Sequence, residues 1–250
     1  MKKNSQRLDQ LLVSRGLADS IDKARRLLLA GEVLVKGRVE SKPGLCYAAD
    51  TIVELRARPR FASRGGEKLQ AAIEAFGIKV AGLVCLDVGA STGGFTDCLL
   101  QNGAARVYAV DVGTGLLSSK VAADPRVAVM DKTNARNLQP AMFPEAPSFA
   151  TIDVAFISLT KILPAVTRVL VSGGHVVSLI KPQFEAAREE VEAGGVVRNP
   201  AIHARIVESI RVFGIEEAGL EWLGVRESPL KGPAGNIEYL AYWKSRQLTG

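Results

Sequence analysis

From residue 83 onward the chain repeats one device: a short apolar run, rich in strand formers, that meets a charged residue and gives way to a turn or helical segment. The runs are "LVCLDVGA", "ARVYAVDVG", "RVAVMD", "FATIDVAF" and "HVVSLIK", and the charges at their ends are Asp87, Asp111, Asp131, Asp153 and Lys181. Segments of helical spacing fall among them, including "STGGFTDCLLQNG", "SLTKILPAVTRVL" and "NPAIHARIVESIRVFG". Pro164 lies in the first turns of its segment, where proline is tolerated. Such alternation restricts the chain to an α/β fold with a mostly parallel, doubly wound, Rossmann-like sheet. In sheets of that kind ligands bind beyond the carboxyl ends of the strands. The charged strand ends are therefore the places to look for function.

The first such end is "DVGASTGGFTD", where Asp87 closes a strand and Gly89, Gly93 and Gly94 let the backbone turn tightly beside a ligand. A dinucleotide fingerprint would need G-x-G-x-x-G, and Ser91 stands where its second glycine belongs, which disfavours an NAD-dependent dehydrogenase. Asp111, at the next strand end, is placed to accept from ribose hydroxyls, and Asp131 and Asn134 fall where an adenine edge would lie. Acidic strand ends without a phosphate-cradling lysine suit S-adenosylmethionine, whose amino group and sulfonium are both cationic.

Four further charges occupy places where charge is costly. Lys68 opens the helix "EKLQAAIEAFG", Asp153 ends its apolar run, Lys181 ends "HVVSLIK", and Glu238 lies inside the strand-like "GNIEYLAYW". A lone lysine or glutamate is usually a surface ion-pair partner. The sheet-end rule would bring these four to one cleft. Pro182 confines Lys181 to extended backbone geometry.

The charge of the chain is unevenly placed. Residues 1–60 hold thirteen Lys or Arg against seven Asp or Glu, a net of +6, whereas the remaining 190 residues hold nineteen of each. A basic module on a neutral body points to a polyanionic partner, with nucleic acid foremost. The spacing predicts two helices followed by strands. Leu8, Leu11 and Leu12 form one apolar face, and Gly16 stops that helix. Ser20 is the N-cap of the second helix, whose stripe is Ala24, Leu27 and Leu28 and whose stop is Gly31. "EVLVKGRVE" then reads as strand, turn and strand. Lys23, Arg25, Arg26, Lys36 and Arg38 would share a phosphate-binding surface. Beyond it, Arg56, Arg58 and Arg60 around Pro59 suggest an extended basic linker.

No apolar run reaches the roughly 18 residues needed to span a bilayer. The beginning of the chain lacks the apolar stretch of a signal peptide. Cys46, Cys85 and Cys98 show no metal-ligand spacing. A reduced, cytoplasmic protein without disulfides, zinc site or membrane association is expected.

The run "RLDQLLVSRGLADSIDKARRLLLAGEVLVKGR" resembles the S4-type RNA-binding domain. "FASRGGEKL", "LDVGASTGGFTDCLLQNGAARVYAVDVG", "TNAR", "DVAFISL", "LIKPQFE", "GVVRNP" and "SPLKGPAGNIEYL" resemble the TlyA family over nearly the whole chain. Those are ribosomal RNA 2′-O-methyltransferases that join an S4-type domain to an FtsJ-like catalytic domain, and some bear the name haemolysin. The resemblance implies an RNA-binding domain at 1–59, a linker at 60–64 and a methyltransferase domain at 65–250. It implies a Lys-Asp-Lys-Glu tetrad at Lys68, Asp153, Lys181 and Glu238. It also implies a donor site on Asp87, Gly89, Ser91, Thr92, Gly93, Gly94, Phe95 and Thr96 with Asp111, completed by Asp131 and Asn134. Arg7 and Arg64 join the expected RNA contacts. The partners would be ribosomal RNA and ribosomal subunits, the acceptor a cytidine ribose, and no metal would be required.

Lys181 is then expected either to remove the hydroxyl proton, within a network whose titration belongs to the group, or to stay charged and steer the hydroxyl. Two rivals remain. A non-catalytic RNA-binding module would leave the glycine-rich loop and the tetrad unexplained. A membrane-active haemolysin would need a spanning or surface-seeking helix that the sequence does not offer.

Overall fold

The computed structural model describes residues 5–56 and 59–246; Arg58 of the basic linker lies outside them. Two compact units form, Met1–Pro59 and Arg60–Gly250.

In the first unit, strand β1 (Ser5–Arg7) leads into helices α1 (Leu8–Ser14) and α2 (Ile21–Leu29), then β2 (Val33–Val35), β3 (Arg38–Val39), β4 (Cys46–Ala48) and β5 (Val53–Leu55). Ser20 caps α2 as expected, its hydroxyl accepting from Lys23 N at 3.2 Å. Gly31, at φ +68°, carries the chain out of α2. Lys36 and Gly37 both take positive φ, the backbone that a tight hairpin between β2 and β3 demands. Leu8, Leu11, Leu12, Ala24, Leu27 and Leu28 are buried together with Val33, Val35 and Val53. The opposite face of α2 exposes Lys23, Arg25 and Arg26, and the hairpin exposes Lys36 and Arg38.

The second unit opens with residues 60–64, the expected linker. They pack onto this unit, because Phe61 is apolar and only 3% exposed. Asp97 accepts from Ala62 N at 2.9 Å, and Gln101 donates to the Arg60 carbonyl at 2.9 Å. Helix α3 (Gly65–Phe76) follows and ends on Gly77 in the left-handed region. The remainder alternates: β6 (Val84–Val88), α4 (Gly94–Gln101), β7 (Arg106–Val110), α5 (Ser119–Ala122), β8 (Val127–Met130), β9 (Phe149–Ile152), α6 (Leu163–Val169), β10 (His175–Ile180), α7 (Pro182–Glu185), α8 (Pro200–Glu216), β11 (Leu220–Glu227) and β12 (Tyr239–Ser245).

Among the described residues these strands form one seven-stranded sheet in the order β11-β12-β10-β9-β6-β7-β8. β8, β7, β6, β9 and β10 run parallel, and β12 is antiparallel to both β10 and β11. The order reverses between β6 and β9, which is where a doubly wound sheet opens a crevice. One apolar layer joins the sheet to α6 and α8, through Leu86, Val166, Ile206 and Trp243 among others. The other joins it to α3 and α4, through Leu69, Ile73, Cys98 and Leu99. Strand β11 has no counterpart in the sequence reading, because Gly224 interrupts its alternation with a bulge.

The antiparallel direction of β12 matters for function. Its first residue, Tyr239, pairs with Ile180, the last residue of β10. Glu238 was expected inside a strand but lies one residue before it. The start of β12 therefore stands at the same sheet edge as the carboxyl ends of the parallel strands.

Candidate active site

Asp111, Asp131, Asp153 and Lys181 are each the first residue past the end of a parallel strand. There the side chain is released from the ladder, and those of Asp111, Asp153 and Lys181 line the cavities at the crevice. Asp153 N still donates to the Val88 carbonyl at 2.9 Å, which ties this strand end to β6. Lys181 keeps extended backbone, φ −114° and ψ 101°, with Pro182 opening α7 immediately behind it.

The four charged residues come together as two ion pairs. Lys68 Nζ, from the first turns of α3, lies 2.5 Å from Glu238 Oε2, and Glu238 is only 1% exposed. Lys181 Nζ lies 2.6 Å from Asp153 Oδ1. No donor among the described residues meets that buried oxygen at a hydrogen-bonding angle, so the second pair rests on where the two backbones put it. Gly232 passes so close to Glu238 that a Cβ there would fall 2.6 Å from Oε1.

Two cavities meet at this constellation. One, of about 320 Å³, contains all four tetrad residues with Arg64, Ser91, Thr92, Gly94, Phe95 and Lys231 in its wall. The other, of about 420 Å³, is lined by Asp111, Asn134, Arg136, Phe156 and the apolar Val112, Leu116 and Ile157. Gly89, Ser91 and Asp153 belong to both walls. The second cavity has the character a nucleoside needs, with apolar faces for a base and an acidic residue at the second strand end for a ribose. Asp111 also shapes the wall, since Ser91 N donates to its Oδ2 at 2.8 Å and Gly113 N to its Oδ1 at 2.8 Å. Gly89 is obligatory: its φ is +82°, and a Cβ would lie 2.3 Å from the Asp153 carbonyl oxygen.

Asp87, Gly93, Thr96 and Asp131, expected to touch the donor, line neither cavity. Asp87 sits inside β6, paired in register with Thr151, and its side chain is wholly buried. It accepts from Thr96 Oγ1 at 2.6 Å and Thr151 Oγ1 at 2.8 Å, so it fastens the start of α4 to the sheet from beneath. Asp131 accepts from Gly115 N at 2.8 Å and thereby holds the loop after β7. Gly93, at φ +90°, opens α4. In the first unit, Arg7 and Arg25 both contact the buried carboxylate of Asp9, at 2.8 and 3.2 Å. The Arg7 hydrogen bonds hold Asp9 down at about 2. Their side chains are about half exposed, and Lys23, Arg26, Lys36 and Arg38 are exposed.

Burial pushes the Asp87 carboxyl up to about 6 against the pull of its two threonine hydroxyls. A carboxyl raised in the folded state adds stability that is complete below its unfolded value of about 3.9 and is lost as pH rises through about 6. Asp87→Asn is therefore expected to melt progressively higher than the native protein as pH is raised from 4 to 7, with the gap closing at the acid end. Thermal unfolding across that range measures it; a gap that does not change with pH would contradict the assignment.

Lys231 and Arg136 line the cavities without having been anticipated. Neither ends an apolar run, and the loops bearing them gave no periodic signal. Among the described residues no cluster of three or more His, Cys, Asp or Glu side chains is grouped to hold a metal.

Residues 61–245 match the FtsJ-like methyltransferase model and residues 6–45 the S4 domain model. The 16S/23S rRNA (cytidine-2'-O)-methyltransferase TlyA of Mycobacterium tuberculosis is 42% identical over 96% of this chain and 90% of that protein. Hemolysin A of Brachyspira hyodysenteriae is 44% identical over 95% of this chain and 99% of its own. A solved Streptococcus thermophilus structure carrying a hemolysin name has a TM-score of 0.75 and 43% identity, covering 98% of this chain and 90% of that one. No helix among the described residues is long and apolar enough to cross a membrane.

Proposed function

Since the chain belongs to the FtsJ-like methyltransferase family and carries an S4 domain ahead of that region, we propose that it methylates a ribose 2′-hydroxyl of ribosomal RNA, on cytidine, using S-adenosylmethionine. The observation that carries this reading is the pairing of Lys68 with Glu238 and Lys181 with Asp153 in the wall of the first cavity, where Asp153 also lines the second. Residues 1–59 would dock on structured RNA, 65–250 would carry the chemistry, and 60–64 lead from one to the other. A substrate of this kind places the activity in the cytoplasm.

The residues present fit the donor. Asp111 and Asn134 would engage its nucleoside, with Val112 and Leu116 against the base. Bound there, the donor supplies an electrophilic methyl group on a cationic sulfur. Gly89, Ser91 and Asp153, which line both cavities, would stand where acceptor and donor meet. The acceptor cavity carries Arg64, Lys68, Lys181 and Lys231 against Asp153 and Glu238, an excess of positive charge suited to a polyanion.

The chemistry is an in-line displacement, so alignment provides much of the acceleration. The oxygen–carbon bond forms as the sulfur–carbon bond breaks, and the 2′-hydroxyl gives up its proton. The Lys181–Asp153 pair takes that proton as a unit and releases it to solvent. Lys68, clamped by Glu238, would help position the hydroxyl and stabilise negative charge developing on its oxygen.

Incubating ribosomal subunits that lack the modification with tritiated donor tests the proposal. Label should enter the RNA with the native protein and not with Lys181→Ala. A protein that binds RNA but never binds the donor in calorimetry would be a non-catalytic module instead.

A further inference from the structure

Strands β9 and β10 stop pairing before the residues that matter. Their parallel ladder ends at Ile152 opposite Ser178, so Asp153 and Lys181 lie on two segments that no backbone hydrogen bond joins among the described residues. The segment after Asp153 is also under constraint. Phe156 is 90% exposed and has φ +61°, a conformation that bulky residues avoid. Something must hold both segments in place for the ion pair to keep its 2.6 Å separation.

Glu185, the last residue of α7, has the required geometry. Its Oε2 accepts from Ser158 Oγ at 2.6 Å and its Oε1 from Leu159 N at 2.8 Å. Ser158 in turn caps the short helical turn Leu159–Lys161, accepting from Thr160 N at 3.1 Å. A second contact, between the Phe156 and Phe184 rings at 5.0 Å, joins the same segments without directional bonds.

We infer that Glu185 is a positioning residue for the methyl transfer, a brace between the strand end bearing Asp153 and the strand end bearing Lys181. Glu185 lines neither cavity and touches no reacting group. It acts by fixing the far end of the Val154–Ile157 loop through Ser158 and Leu159, while the Asp153 N–H on Val88 holds the near end independently. Its carboxyl is raised by burial, in keeping with a group enclosed for structure. The inference rests on the proposed function for its kinetic readout and has a second readout that does not.

Glu185→Ala is expected to slow single-turnover methyl transfer by about ten- to a hundredfold, the scale of a displacement of about 1 Å. Donor affinity by calorimetry should fall by less than the transfer rate, by about threefold, because the loosened Val154–Ile157 loop is only part of the donor wall and Asp111 and Asn134 are untouched. Hydrogen exchange at the Leu159 amide should accelerate by about tenfold or more, with Phe149–Ile152 unchanged. Glu185→Gln should restore both, since its amide oxygen still accepts from Leu159 N and its amino group can donate to Ser158 Oγ. A Glu185→Ala protein with unaltered transfer and exchange would overturn the brace. So would a Glu185→Gln protein as slow as Glu185→Ala, which would assign the effect to charge. If Glu185→Ala does not fold, Ser158→Ala carries the test: a loss of about threefold to tenfold in transfer, larger than any loss of donor affinity, supports the brace, and no loss overturns it. If the native protein transfers no methyl group, the functional reading fails while the Leu159 exchange still decides the brace.

Discussion

Lys181→Ala is expected to lower single-turnover methyl transfer by about a thousandfold or more while leaving donor affinity nearly unchanged. Lys181 lines the first cavity beside Asp153, which belongs to both walls. Removing it also strands the buried Asp153 oxygen, which has no hydrogen-bond donor of its own among the described residues. Lys181→Arg sharpens the test, because a guanidinium keeps the charge but does not give up its proton. If the Lys181–Asp153 pair takes the hydroxyl proton, the arginine protein should remain slow at every pH. If Lys181 only steers, it should recover much of the rate with the native pH profile. That second outcome would move proton acceptance elsewhere. Lys68→Ala should be severe too, since Glu238 would remain as an unpaired carboxylate 1% exposed.

Gly89→Ala is expected to abolish donor binding and transfer together, and to cost about 3 kcal/mol of stability. Two penalties coincide at this residue. Its φ of +82° is unfavourable for any side chain, and the added carbon would lie 2.3 Å from the Asp153 carbonyl oxygen. Relief would require the β6 and β9 ends to part, which pulls Asp153 away from Lys181 and opens the wall between the cavities. Calorimetry and thermal unfolding on the same sample separate the two effects. Gly77→Ala is the control: its φ is also positive, at +62°, but nothing lies within 4 Å of the added carbon. It should lose stability without losing donor affinity. Normal donor binding in Gly89→Ala would refute the close approach.

The sheet was readable because its parallel strands are buried on both faces and so appear as unbroken apolar runs. The same logic located Asp111, Asp153 and Lys181, each one residue beyond such a run. It misjudged Asp87, which looks the same in sequence. β6 continues to Val88, so Asp87 remains inside the ladder with its side chain against Thr151, and Gly89 holds the position equivalent to Asp111 and Asp153. Side chains alternate along a strand, and a one-residue difference in where pairing ends exchanges a crevice residue for a buried one. The pairing of Lys68 with Glu238 was beyond sequence, because it depends on β12 running antiparallel and delivering its start to the crevice. Glu185 was hidden for the same reason: its partners, Ser158 and Leu159, belong to a different strand end. Residues 60–64 read as basic and extended because arginine and proline surround them, but the burial of Phe61 packs them onto the second unit.

The central claim is that the two ion pairs serve transfer to a ribose oxygen. It is tested most directly by labelling ribosomal RNA with tritiated S-adenosylmethionine, digesting it to nucleosides and separating ribose-methylated from base-methylated products. The account predicts label in 2′-O-methylcytidine, abolished by Lys181→Ala. Label on a base, or the same label with Lys181→Ala as with the native protein, would contradict it.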